Sequence, residues 1–251
     1  MGPIFKETPT MFSMFHIITM IVSLLICVFF FIFAKKHNDK KDSLVVLGFS
    51  LFLFVTEIWK QTVRTIANGG QYPFGIFPFQ LCSIPMYLGI IAFFIKNKKV
   101  KESIYTYITL TGIIGGVAML TVPMVIFSNY ILFTLHSIAW HIVLVAQGVY
   151  LARARNIGRN ILKDVIPTIP VIAVIVTIAV ILNATPYGFN LLSLSTKFVN
   201  DPPLLNQIYQ KVSYPIYVVI VFSGLVAGVT LVDLVIFLIR KIKGALVKNE
   251  N

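Results

Sequence analysis

A chain of 251 residues that is 57% hydrophobic and only 12% charged, with a mean hydropathy of +0.88, excludes a water-soluble domain, whose charged fraction is about twice as large. The net charge of +12 does not indicate nucleic-acid binding, because the basic residues sit in short clusters between apolar runs and form no single water-facing surface. With only two cysteines, Cys27 and Cys82, both inside apolar runs, the sequence also excludes a disulfide framework and a cysteine metal site.

Seven apolar runs follow in chain order, near residues 14–34, 44–67, 79–95, 104–122, 131–152, 165–184 and 212–239. Each approaches the roughly 20 residues that a helix needs to cross a hydrocarbon core about 30 Å thick. The expected fold is all-α, a single polytopic domain over residues 1–251 with seven transmembrane helices. The first run has no basic region before it and is followed by Lys35, Lys36, Lys40 and Lys41, the reverse of a secretory signal, so it is expected to be retained.

The second run carries Glu57, Lys60, Gln61 and Arg64. At about 100° per residue they fall within about a quarter of the helix circumference. A charge at the bilayer centre costs about 2.5–3.5 kcal/mol on insertion scales, so this stripe is expected to face the bundle interior or a wet cavity. The structural alternative is a buried ion pair that fixes packing, with Arg64 reaching for the interface.

Gln80, Cys82 and Ser83 stand at the start of the third run. Gly112, Gly115 and Gly116 in the fourth run, and Gly224 with Gly228 in the seventh, are spaced to let helix backbones approach closely. The fifth run places His136, Trp140 and Gln147 on one face. His141 falls about 140° round from His136 and ranks below it. The connection over 183–211 carries Pro186-Tyr187-Gly188-Phe189-Asn190 and Pro202-Pro203, signals of an ordinary connector, a lid or a turn lying on the membrane. Asp233, late in the last run, is expected to find a polar partner or to mark a second polar site.

Charge sets the orientation. Lys35, Lys36, Lys40, Lys41, Lys96, Lys98, Lys99, Lys101, Arg153, Arg155, Arg159, Lys163, Arg240, Lys241, Lys243 and Lys248 lie in alternate connections and the C-terminal tail, against Lys6, Lys197 and Lys211 in the others. Basic residues mark cytoplasmic segments, so the N-terminus is expected outside and the C-terminus in the cytoplasm. Read this way, Glu57 lies slightly past the midplane and Arg64 near the outer surface.

These residues suggest two chemistries. In one, an imidazole takes a thiol proton and the thiolate attacks an ester carbonyl, with His136 and Cys82 as the catalytic pair. In the other, His136 acts as general base on a lipid hydroxyl while Lys60 and Arg64 hold phosphate. A lone cysteine in an apolar helix is also a small packing residue, which is the reading for Cys27.

The stretch Phe77-Pro78-Phe79-Gln80-Leu81-Cys82-Ser83-Ile84-Pro85, the His136-Ser137 pair ahead of Gln147-Gly148-Val149-Tyr150, and Tyr187-Gly188-Phe189-Asn190 followed by Lys197 and Pro202-Pro203 resemble the bacterial YwaF-type integral membrane family. That family is similar to a vertebrate membrane family proposed to move fatty acyl chains between phospholipids with a cysteine and a histidine. Two positions depart from the pattern: a histidine often precedes Leu-Cys where this chain has Gln80, and the vertebrate cysteine follows the proline directly where this chain has Phe79.

The resemblance implies acyl transfer in a bacterial cytoplasmic membrane, with a phospholipid or acyl-lipid substrate and no cofactor or metal. The expected binding residues are Glu57, Lys60, Gln61, Arg64, Gln80, Trp140, His141 and Asn190. The alternative class is a non-catalytic transporter or a binder of small molecules or lipids that uses the same cavity. No internal repeat supports an inverted-repeat transporter, and the last run has no interior lysine for a retinal Schiff base.

Overall fold

Three asparagines start helices at the basic end of the bundle. Asn38 Oδ1 accepts from the Lys41 amide at 3.0 Å, Asn97 Oδ1 from Lys99 and Val100 at 3.0 and 3.3 Å, and Asn160 Oδ1 from Lys163 at 3.1 Å. Each cap satisfies amides that a first helical turn leaves without a partner. In the computed structural model, which describes residues 8–34, 38–123, 126–128, 130–195 and 203–249, helices therefore begin ahead of the apolar runs. Helix α1 is Met14–Phe33, α2 Asp39–Ala67, α3 Ile84–Phe94, α4 Lys98–Thr121 and α5 Ile131–Ala154. They are followed by α6 Ile161–Val165, α7 Ile169–Asn183, α8 Pro203–Tyr209 and α9 Tyr214–Asn249.

Among the described residues six spans are long and apolar enough to cross a membrane: α1, α2, α4, α5, the continuous stretch Ile161–Asn183 and Tyr214–Ile242 of α9. The stretch Ile161–Asn183 passes through a 3-10 turn at Ile166–Thr168, where Pro167 and Pro170 lack the amide hydrogens of a regular helix. The third run, expected as a helix over 79–95, departs from expectation. Only its eleven residues Ile84–Phe94 are helical, about 16 Å at 1.5 Å per residue. Pro85 starts that helix, and the chain ahead of it folds as a 3-10 turn at Phe74–Ile76 and a turn closed by the Ser83 amide on the Gln80 carbonyl at 2.8 Å.

Helix α4 is the central element, against which α3, α5 and α9 pack. It meets α5 backbone to backbone. A Cβ on Gly112 would stand 2.8 Å from the Leu144 carbonyl oxygen, one on Gly116 2.8 Å from that of His141, and one on Gly148 2.9 Å from that of Thr109. Gly116→Ala is therefore expected to lower stability by about 1–3 kcal/mol, read as a lower Tm in detergent. Gly115→Ala meets nothing within 4 Å and should leave Tm unchanged or raised. The other expected approach is looser: a Cβ on Gly224 would meet nothing within 4 Å and one on Gly228 would meet the Ile114 side chain at 3.5 Å, and the two glycines line an apolar cavity of ≈ 110 Å³ beside Tyr107 and Thr111.

Two polar anchors complete the packing. His16, fully buried, accepts from the Phe12 amide at 3.0 Å through Nδ1, which leaves Nε2 to donate to the Leu120 carbonyl at 2.8 Å and ties α1 to α4. At the basic end Arg155 binds Asp39 at 2.7 Å, pairs with Glu102 and lies 3.3 Å from Asp42. Tyr150 donates to the other oxygen of Asp42 at 2.9 Å. The guanidinium thus joins α2, α4 and α5.

Candidate functional site

The polar stripe of α2 turns inward against α5, at the end of the bundle opposite the basic clusters. Glu57 is 3% exposed. Its Oε1 receives the Lys60 ammonium at 2.7 Å and the Gln61 amide at 2.5 Å, both within one turn of the same helix. Gln61 also donates to the Ile76 carbonyl at 2.9 Å, which fastens the 3-10 turn onto α2. Among the described residues the remaining carboxylate oxygen, Oε2, has no hydrogen-bond partner, and it faces His136 Nε2 at 3.9 Å. Nε2 likewise lacks a partner.

His136 is held between aromatic rings, with Trp59 at 5.9 Å and Trp140 at 5.4 Å between centroids. Trp140 is itself fixed, since its indole Nε1 donates to the Cys82 carbonyl at 3.1 Å, and the Lys60 ammonium stands 5.8 Å above its ring. Cys82 therefore reaches the site through its main chain. Its side chain packs against the cluster of Leu53, Met86, Trp140 and Leu144, and among the described residues no hydrogen bond joins its thiol to His136.

Arg64 lies farther along α2, 4.2 Å over the Phe133 ring, and lines a cavity of ≈ 320 Å³ with Val63, Ile66, Ala67, Tyr130 and Phe133. Phe133 also touches Trp59 at 5.9 Å, so a chain of aromatic contacts runs from that cavity to His136.

Gln80 and Asn190 belong to a separate layer. Gln80 donates to the Asn190 carbonyl at 2.9 Å and accepts from the Leu192 amide at 3.1 Å, which joins the segment ahead of α3 to the segment after α7. Phe74 stacks on Tyr187 at 4.9 Å, and Asn183 makes two bonds with the Leu191 backbone at 2.8 and 3.0 Å. These contacts build a cap that reaches the ionic group through Gln61 and Ile76. Of the connection over 183–211, residues 196–202 fall outside the described part.

His141 is buried, with Nδ1 against the Ser137 carbonyl at 2.7 Å, and makes no bond to the Glu57 group. Gln147 is fully buried with both amide atoms unpartnered, so the polar face of α5 continues inward past Trp140. Trp59 completes the His136 box and Phe133 backs it, and the sequence marked neither, since aromatic residues are common near a membrane boundary. Among the described residues no group of three histidine, cysteine or acidic side chains is placed to hold a metal ion.

This multi-pass architecture and polar interior were compared with known proteins. No curated protein and no solved structure matches the chain. The model of the TMEM164 family matches residues 11–233, and the chain belongs to that family of membrane proteins.

Proposed function

We propose that the chain is a membrane-embedded enzyme that transfers an acyl chain to or from a phospholipid, at a polar cavity opening on the outer leaflet. The observation that carries this reading is the 3.9 Å approach of Glu57 Oε2 to His136 Nε2, both buried and without hydrogen-bond partners, beside the Lys60 ammonium. Buried polar atoms are ordinarily paired, so two that face each other suit a group brought by a substrate.

In this reading a lipid hydroxyl enters between them, and Nε2 takes its proton as the oxygen attacks the ester carbonyl of an acyl donor. Lys60 stabilises the negative charge that develops on the carbonyl oxygen. The proton on His136 then passes to the departing oxygen, so one ester bond forms as one breaks and no cofactor is required. Arg64, in the adjoining cavity, holds the lipid phosphate. Cys82 serves by fixing Trp140 through its carbonyl, a role that alanine preserves.

The same reading takes seven crossings, with the N-terminus outside and the C-terminus in the cytoplasm of a bacterial cell membrane, in keeping with the YwaF-type resemblance. Segment 71–83 and α3 together make the third crossing. Irregular backbone at membrane depth is tolerated where protein covers it, and contacts from Gln61, Tyr187 and Asn190 cover part of residues 74–83. The distribution of basic residues supports the orientation.

The test is reconstitution in vesicles with a phospholipid carrying a labelled acyl chain and a lysophospholipid acceptor. Label appearing on the acceptor is expected, with Cys82→Ala retaining most of the rate. A protein that moves no label but retains a lipid or solute through purification is a binder or transporter, and the proposal fails. A labelled adduct that forms on Cys82 and disappears in Cys82→Ala, along with transfer, replaces the hydroxyl route with a thiol route.

A further inference from the structure

We infer that the groove between α1, α5 and α9 at the basic end of the bundle binds an anionic phospholipid of the adjoining leaflet, at a site separate from Glu57 and His136. Helix α9 packs on α4 and α6, which leaves a cavity of ≈ 590 Å³ walled by apolar side chains including Phe31, Val149, Ile236 and Ile239, with Arg153 and Arg240 on its lining.

These two arginines differ from their neighbour Arg155. Each guanidinium carries five N–H donors, yet among the described residues Arg153 bonds only the Phe31 carbonyl, at 2.7 Å, and Arg240 only the Ala152 carbonyl, at 2.6 Å. Arg240 Nε is buried and without a partner. Among the described residues no carboxylate lies within 4.0 Å of either cation, whereas Arg155 holds three. The charged groups nearest Arg240 are Arg159, Asp164, which accepts from the Gly158 amide at 2.8 Å, and Asp233, fully buried two turns earlier on α9, where among the described residues neither carboxylate oxygen finds the polar partner expected for it.

Both side chains line the same cavity, and Arg240 bonds the carbonyl of the residue preceding Arg153. Arg153 is also braced 4.4 Å over the Phe31 ring. Two fixed cations with unused donors above apolar walls match a phosphodiester headgroup with its acyl chains. A basic pocket between membrane helices is a recognised form of such a site. A free phosphate would have no use for the walls.

The experiment is native mass spectrometry of the purified full chain with phosphatidylglycerol or phosphatidylcholine added to the detergent. A preference for phosphatidylglycerol of about thirtyfold is expected from two arginines, and it should fall to near parity in Arg153→Gln/Arg240→Gln. Ile239→Trp, at an exposed position on the groove wall, should weaken binding with both charges kept, and serves if the double variant does not fold. Lys98→Gln/Lys99→Gln removes equal charge from the same end and should leave the preference intact. Equal binding of the two lipids, a preference that follows the lysines, or full competition by glycerol phosphate, which has no chains, would each overturn the assignment.

Discussion

His136→Gln is expected to lower acyl transfer by about 10²–10⁴-fold, the range a positioned general base contributes. Nε2 makes no hydrogen bond in the resting protein, so the substitution should change stability by less than about 1 kcal/mol. The loss should appear in kcat, with KM for the acceptor little altered, because the proposed role of the ring is in proton transfer and not in binding. Arg64→Gln should show the opposite split, raising KM more than it lowers kcat. A stopped-time assay of labelled acyl transfer in vesicles, run with a Tm measurement on the same preparations, separates the two effects.

Arg155→Ala carries the largest expected loss of stability. Asp42 is buried, its side chain 2% exposed, so removing the cation takes the guanidinium away from a buried carboxylate to which the Tyr150 hydroxyl also donates. Breaking a buried pair in this way costs about 3–5 kcal/mol. Asp39 and Glu102 are about half exposed, and their share is expected to be small, about 0–1 kcal/mol each. For a chain of this size the loss corresponds to a fall in Tm of roughly 10 °C. Arg155→Lys should restore little, since one ammonium does not reproduce a planar fork shared among three carboxylates. Asp42→Asn in the Arg155→Ala background should recover part of the loss by removing a buried negative charge.

The parts of the molecule that follow helical periodicity were legible in the sequence. Glu57, Lys60 and Gln61 converge because residues three and four apart share a helix face, and His136 meets Trp140 for the same reason. The cost of charge in hydrocarbon turned that face inward. The parts that depend on chain breaks and distant segments were not legible. A helix over 79–95 would have aimed the Cys82 side chain by periodicity, but Pro85 delays the helix, and what reaches the site is the Cys82 carbonyl. Gln80 and Asn190 are expected in one binding set with Glu57, whereas the structure uses them to tie two connections together. Arg155 was counted as one of the loop charges that orient the chain. Its burial depends on three carboxylates from two other helix starts, and its position in a basic cluster gives no sign of them.

The central claim is that Glu57 and His136 act as one unit on a lipid hydroxyl. A double-mutant cycle of Glu57→Gln and His136→Gln, read as the rate of labelled acyl transfer, tests it most directly. Groups that act together lose their effect together, so the double variant should be no slower than His136→Gln alone. Losses that multiply across the two sites, or transfer undiminished by either change, would contradict it.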